Sequence, residues 1–400
     1  MFYCGIDIAK RNHEASIIDA DGKPLLESIT VTNTQDGCEK LFSLFERLSI
    51  SRSDVIIGVE ATGHYWLSVY ECLTEQGYNV RVINPIQSDA FRKMYIRQTK
   101  NDSKDSFIIA QVMRFGQYSE TTLSDENIVA MRQLTRFRMA LVDNCGDCKR
   151  RIIALLDQVF PEYASLFSDT FGVTSKELLL QCPTPEDMLA VSTRKLTNLL
   201  NKDSHGRFGE EKARELRDAA AGSFGVGFAK NAFAFQIRQL IEQLMFLENQ
   251  IEELDEQISH LLKQTNQVIT TIPGIADTLG AIIISEIGDI NRFDAPGKLV
   301  AFAGLDVKVT QSDEFTGTKQ KISKRGSPYL RRAIWLAAQR AAFCDSILSE
   351  YYQSLKARGK HHLTAIGAVS RKMCNIIFMI LRENRPYEVT PLKKTREESI

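Results

Sequence analysis

The apolar positions of this 400-residue chain follow a two-residue period at first and a helical one later. Residues 2–9 form a short apolar run that reaches Asp7 near its end. "HEASIIDADGKPLLESITV" then gives two strand-like runs around Asp21-Gly22, a dipeptide typical of hairpin turns. Helical spacing over 35–48 precedes a buried-type strand, "DVIIGVEAT" (54–62), that closes near Glu60. "YWLSVYECLTEQG" predicts a helix stopped at Gly77, and "YNVRVINP" a strand stopped at Pro85. A further helix opens at Asp102, with Ile108, Ile109, Val112 and Met113 on one face. The order strand, hairpin, helix, strand, helix, strand, helix predicts an α/β layer with a mixed sheet.

Past residue 125 the period is helical. A stretch over 126–160 carries Arg132, Arg136, Arg138, Lys149, Arg150 and Arg151, which suit a solvated or a phosphate-binding face. Over 230–268, Ile237, Leu240, Leu244, Leu247, Ile251, Leu254, Ile258 and Leu261 alternate spacings of three and four, a heptad seam. The seam predicts a coiled-coil stalk for self-association; a helical hairpin within one chain has the same spacing. Residues 165–229 carry weaker signals, and "AAAGSFGVGFAK" reads as a loop. "TIPGIADTLGAIIISEIG" starts a helix after Pro273-Gly274, similar to a phosphate-holding helix-hairpin-helix and equally to a plain interhelical turn. The expected domains are 1–125, 126–268 and 269–400, an α/β unit followed by a helical middle and a mostly helical C-terminal part.

Charge changes this picture only locally. Fifty basic residues balance fifty acidic ones, so net charge names no partner. Residues 307–340, however, hold eight basic side chains against Asp313 and Glu314, and 355–372 hold five with no acid. A neutral chain with a basic C-terminal third suits a polyanion. The eight cysteines are scattered, and the lone C-x-x-C pair, Cys145 and Cys148, sits in a helical stretch without zinc-site partners. Reduced helix residues are expected. Met1 leads straight into a strand and no apolar run suggests a membrane span, so a soluble cytoplasmic protein is expected.

Two of the acids pose a chemical question. Asp102 and Asp105 lie three apart at a helix start, and side chains at i and i+3 are neighbours. Singly, each is explained as a cap or a first-turn acid. Asp7 and Glu60, though, close apolar strands expected at the sheet centre, and ligand sites in open α/β sheets lie at such ends. Four converging carboxylates need a cation to stay ionised. Hard divalent ions take oxygen ligands, and a pair about 3.5–4 Å apart serves phosphoryl transfer. Asp7, Glu60, Asp102 and Asp105 are therefore candidate ligands for Mg²⁺.

This order of elements and acids resembles the RNase H-like (RuvC-like) nuclease fold with a D-E-D-D quartet. "GIDIAKRNH", "VEATGHYW", "VINPIQSDAFRK" and "TKNDSKDSFIIAQ" are similar to the N-terminal domain of the insertion-sequence-110 family of DEDD transposases. "TTIPGIADTLGAIIISEIGDINRFDAPGKLVAFAGLDVKVTQS" and "KISKRGSPYLRRAIWLAAQ" resemble that family's C-terminal transposase domain. The resemblance covers about 1–160 and 268–385. It implies Mg²⁺-dependent cleavage and exchange of donor and target DNA, guided by a structured bridge RNA and made through a serine–DNA intermediate. It also implies a homo-oligomer, a dimer or a tetramer in the synaptic complex.

Ser312 matches the family's serine, with Lys321, Lys324, Arg325, Arg331 and Arg332 as candidate nucleic-acid contacts. The chain departs from the family pattern in reading Ser312-Asp313-Glu314 where Ser-Gly is usual, and Asp306-Val307 where Asp-Pro is usual. Ser323 and Ser327 are alternative nucleophiles. Alternative activities are a RuvC-like structure-specific junction nuclease, in which water attacks, a site-specific DNA invertase, and a non-catalytic nucleic-acid scaffold.

Overall fold

The computed structural model describes residues 1–61, 64–83, 85–93, 102–116, 125–204, 206–307, 311–312, 315–316 and 322–389. They fall into two compact units, Met1–Leu123 and Ser124–Ile400.

The first unit is a five-stranded sheet in the order β3-β2-β1-β4-β5. Its strands are β1 (Phe2–Asp7), β2 (Asn12–Ile18), β3 (Pro24–Thr32), β4 (Val55–Glu60) and β5 (Asn79–Ile83). β1, β4 and β5 run parallel while β2 is antiparallel to both neighbours, which makes the sheet mixed and RNase H-like. The Asp21-Gly22 hairpin forms as expected. Gly22 takes the left-handed conformation (φ +83°), and the Asp19 carboxylate accepts from the amides of Asp21 and Lys23 at 2.9 Å. Helices α1 (Gln35–Arg47) and α2 (Trp66–Glu75) match the predicted spans; the Thr34 hydroxyl caps α1 by accepting from the Gly37 amide. Two more helices, α3 (Pro85–Arg92) and α4 (Asp102–Phe115), complete the unit.

Each sheet face has its own apolar cluster. One gathers Leu41, Phe45, Val69 and Leu73 of α1 and α2 over Cys4, Ile6, Ile57 and Val59. The other gathers Ile108, Ile109, Val112 and Met113 of α4 with Ile83, as the four-residue stripe predicted. Gly5 decides how closely α4 crosses β1: a Cβ there would stand 2.1 Å from the Ser106 carbonyl oxygen and 2.3 Å from the Ala110 nitrogen. Ser16 of β2 and Ser106 of α4 share a buried hydrogen bond of 2.6 Å, so register between helix and sheet is fixed by polar as well as apolar contact. The crossing seats Asp105, next to Ser106, over the sheet.

The second unit is helical. α5 (Glu126–Val159) and α10 (Lys230–Gln264) are long, and α6 (Val173–Gln181), α7 (Pro185–Ala190), α8 (Thr193–Ser204) and α9 (Glu210–Ala221) lie between them. These four occupy the stretch whose sequence signals were weak; the Gly-rich loop shortens to 222–229. α5 and α10 run antiparallel, with Arg138 paired to Asp255 and Lys149 to Glu248. The heptad seam lies inside this pair. Ile237, Leu244, Leu247, Leu254 and Ile258 are buried and share a core with Met131, Leu141, Cys145, Ile152 and Leu156. At about 2 kcal/mol per buried aliphatic side chain, intrachain packing already uses the seam. This corrects the reading of it as a self-association stalk: the a/d pattern specifies a partner helix, and the chain itself provides one.

The remaining helices are α11 (Asp277–Ile287), α12 (Pro296–Phe302), α13 (Pro328–Cys344), α14 (Ser346–Ala357) and α15 (His362–Glu383). They join the same core as α5 and α10. A Cβ on Gly274 (φ +91°) would stand 2.7 Å from the Ala337 carbonyl oxygen, so the Pro273-Gly274 turn packs α11 onto α13 as an interhelical turn. α15 is long and apolar enough to cross a membrane by length and composition, a feature the linear reading passed over. Most of that stretch is buried within the protein, including Ile366, Val369, Met373, Ile377 and Phe378.

Candidate active site

Asp7 and Glu60 end adjacent parallel strands, β1 and β4, paired through Ile6 and Val59. Both are half-buried. Glu60 accepts a hydrogen bond from the Ser88 hydroxyl of α3 at 2.6 Å. Asp105 lies in the first turn of α4 and is only 6% exposed. Asp102 begins the same helix, as its spacing predicted, but its side chain lies outside the described residues. Among the described residues no three acidic, histidine or cysteine side chains stand close enough to hold an ion. The fold thus places Asp7 and Glu60 at the ends of adjacent strands and Asp105 in the first turn of α4, and among the described residues these acids close no ligand set.

The electrostatics at Asp105 are unusual. The Arg92 guanidinium of α3 stands 2.9 Å from Asp105 Oδ1, an ion-pair distance, yet the alignment gives no hydrogen bond and Oδ1 is left without one. Arg92 Nε is buried and equally without a hydrogen-bond partner. A buried carboxylate oxygen that no donor satisfies costs roughly 1–3 kcal/mol, more for a charged group. A carboxylate oxygen without a hydrogen bond is the kind of hard donor a divalent cation takes. Asp7, Glu60, Asp102 and Asp105 are the residues that would hold it.

In the second unit Ser312 lies in a two-residue strand, β6 (Gln311–Ser312), paired with β7 (Phe315–Thr316) through Ser312 and Phe315. Its side chain, with Lys321 and the departing pair Asp313-Glu314, lies outside the described residues. The neck of this loop is ordered by a bridge between Val307 and Ile322 and by left-handed backbone at Gly304, Lys324 and Gly326. Lys324 and Arg325 are exposed. Arg331 instead donates to the Ala303 carbonyl at 3.2 Å, and Arg332 pairs with Asp143 at 2.8 Å. The two alternative serines are engaged. Ser323 donates to Asp306 Oδ1. Ser327 caps α13, accepting from the Leu330 amide at 3.1 Å and donating to Glu286 Oε2 at 2.8 Å.

Glu286 had no sequence signal. It is 4% exposed in α11, and Arg136 grips it with two hydrogen bonds of 2.6 and 3.0 Å while stacking over Tyr329. This Glu286 hydrogen bond is the first cause holding Arg136 above the usual arginine range. Arg132 bonds the Ser285 carbonyl at 2.6 Å, so the basic residues of α5 mostly serve interhelical pairing instead of a free phosphate-binding face. Cys145 and Cys148 are buried, and burial raises both thiols, as suits ordinary helix residues.

The mixed sheet in this strand order gives the first unit an RNase H-like fold. Comparison with known proteins agrees. A family described as "Transposase", of the DEDD IS110 type, matches residues 4–161, and one described as "Transposase IS116/IS110/IS902 family" matches 266–353. The 44.8 kDa protein of insertion element IS116 from Streptomyces clavuligerus is 23% identical over 97% of this chain and 96% of its own. The pilin gene-inverting protein of Moraxella bovis is 23% identical over 96% and 97%. Among solved structures, Thermus thermophilus RuvC with a Holliday junction substrate is 14% identical (TM-score 0.23) and covers 30% of this chain and 99% of its own. The chain belongs to the IS116/IS110/IS902 family of transposases, and is a DNA transposase or recombinase.

Proposed function

We propose that this transposase cleaves and exchanges donor and target DNA strands through a phosphoserine ester at Ser312, with Asp7, Glu60, Asp102 and Asp105 holding Mg²⁺. The observation that carries the acid site is Asp105, a buried carboxylate whose Oδ1 is ion-paired with Arg92 but without a hydrogen bond. Mg²⁺ supplies positive charge against the developing phosphoryl charge when bound. Ser88 orients the Glu60 carboxylate, and the Ser106–Ser16 contact holds the first turn of α4. In the serine step the Ser312 oxygen bonds to phosphorus as one phosphorus–deoxyribose oxygen bond breaks; the serine proton is lost to a base and the departing oxygen gains one. Attack by a hydroxyl of another strand reverses the exchange and frees Ser312. Supporting this assignment, Ser323 and Ser327 already hold hydrogen bonds that order the loop neck and the start of α13.

Lys321, Lys324, Arg325, Arg331 and Arg332 are the proposed contacts to nucleic-acid backbone, Lys324 and Arg325 the most exposed of those described. By family resemblance the partners include a bridge-type guide RNA and a homo-oligomer, whose interface must use a surface other than the buried heptad seam. A second reading, site-specific inversion, is favoured by the pilin gene-inverting relative and uses the same chemistry on differently placed DNA sites. The test is covalent trapping on supercoiled substrate with Mg²⁺. A protein–DNA adduct mapped to Ser312 and lost in Ser312→Ala is expected. Cleavage without an adduct would indicate attack by water, and attachment at Ser323 or Ser327 would move the nucleophile.

A further inference from the structure

Within the first unit, α3 touches the acid site twice. Ser88 donates to Glu60, and one turn later Arg92 lies against Asp105. The second contact differs from a structural ion pair in its hydrogen bonding. Asp105 Oδ1 and Arg92 Nε are both buried and both without a hydrogen bond, although the guanidinium stands 2.9 Å from that oxygen. The Asp105 side chain is 8% exposed and that of Arg92 22%, so the charges face each other in a poorly solvated space. Arg92 has a second partner at the same time, facing solvent: Nη1 pairs at 2.5 Å with Asp89, whose side chain is 62% exposed.

Clustered carboxylates repel unless a positive charge lies among them, and the cost rises as solvent is excluded. Arg92 supplies that charge from the protein itself. Its contact with Asp105 holds the charge in place without the alignment of a fork–fork pair, so little hydrogen bonding is lost on parting. Asp89 stands ready to keep the guanidinium neutralised once Asp105 is given up.

We propose that Arg92 is the resident counter-ion of the acid site, competing with the divalent cation for Asp105 and keeping only its pair with Asp89 when that ion binds. This rests on the reading that the acid quartet holds a divalent cation. Arg92 is on this view a positioning residue: it holds Asp105 in place while no ion is bound, and sets the threshold at which one enters.

The test is calorimetric titration of the full chain with Mn²⁺, without DNA, together with melting curves. Arg92→Gln is expected to bind Mn²⁺ about tenfold more tightly than wild type, since a competing charge is gone. It should melt lower than wild type without metal and equal it at saturating Mn²⁺. Arg92→Lys keeps the charge and should stay near wild type on both counts, which guards against a variant that merely loosens α3. Mn²⁺ uptake by wild type with unchanged or weaker binding in Arg92→Gln would overturn the counter-ion role alone. No Mn²⁺ uptake by wild type, or uptake left unchanged in Asp105→Asn, would overturn the metal site and this role with it.

Discussion

Each unit buries one acid against one arginine, and the two pairs are built differently. Glu286, in the helical unit, accepts two hydrogen bonds from Arg136 and a third from Ser327. Asp105, in the α/β unit, stands as close to Arg92 but leaves an oxygen and the guanidinium Nε without hydrogen bonds. A satisfied buried pair holds elements together, here α5, α11 and the start of α13. An unsatisfied one persists because the surrounding fold imposes it, and such frustration collects at functional sites. Sequence context does not separate the two: Asp105 belongs to "TKNDSKDSFIIAQ" and Glu286 to "TIPGIADTLGAIIISEIG", both among the stretches that carry the resemblance.

The sharpest way to break this contrast is to neutralise each acid. Asp105→Asn should reduce DNA strand cleavage by about a thousandfold, near 4 kcal/mol of transition-state stabilisation. Its unfolding free energy from urea titration should stay within about 1 kcal/mol of wild type, because the acid is not holding elements together. Glu286→Ala should do the reverse. Removing one partner of a buried pair costs about 3–5 kcal/mol, and the half-exposed Arg136 brings the expectation to about 3. If Asp105→Asn unfolds the protein or Glu286→Ala is neutral, the distinction between a site acid and a structural acid fails.

A second comparison concerns the seam of α10. Leu244 is fully buried against neighbours in its own chain, so Leu244→Ala should destabilise by about 3 kcal/mol through lost contacts and a cavity. Light scattering at native conditions should give the same mass for variant and wild type. A drop in mass with little loss of stability would mean that the seam holds chains together after all.

The smallest effect belongs to His13 of β2. Burial is the main cause holding it below the ordinary histidine range; a hydrogen bond with Asn33 acts the other way. Its Nδ1 accepts from the Ala9 amide at 3.2 Å, which the neutral ring allows. A base with a lowered folded pKa contributes stability above its unfolded value, about 6.5, and loses it as pH falls below that. Melting curves of wild type minus His13→Gln should therefore decline between pH 7 and 5. A flat difference would show that His13 titrates as in the unfolded chain.

Period-two and period-3.6 patterns together with turn residues determined the elements of the first unit, because strands and helices there are short, amphipathic and punctuated by Gly22, Gly77 and Pro85. They also determined which acids end strands or begin a helix, since Asp7, Glu60 and Asp102 sit at element boundaries that local signals mark. Partner choice lay beyond them. A heptad seam says that a helix will be covered but not by what, and α5, which ends some seventy residues upstream of α10, covers it only once the chain has turned back on itself. The serial basic residues of α5 read as a surface until Glu286 and Asp255 arrive from other helices to pair with them. Nor does any local pattern bring Arg92 to Asp105, because α3 and α4 are joined by a stretch whose path the period does not specify. Spacing along a chain constrains which face a side chain occupies; the charge it meets there depends on long-range packing, which only the tertiary structure supplies.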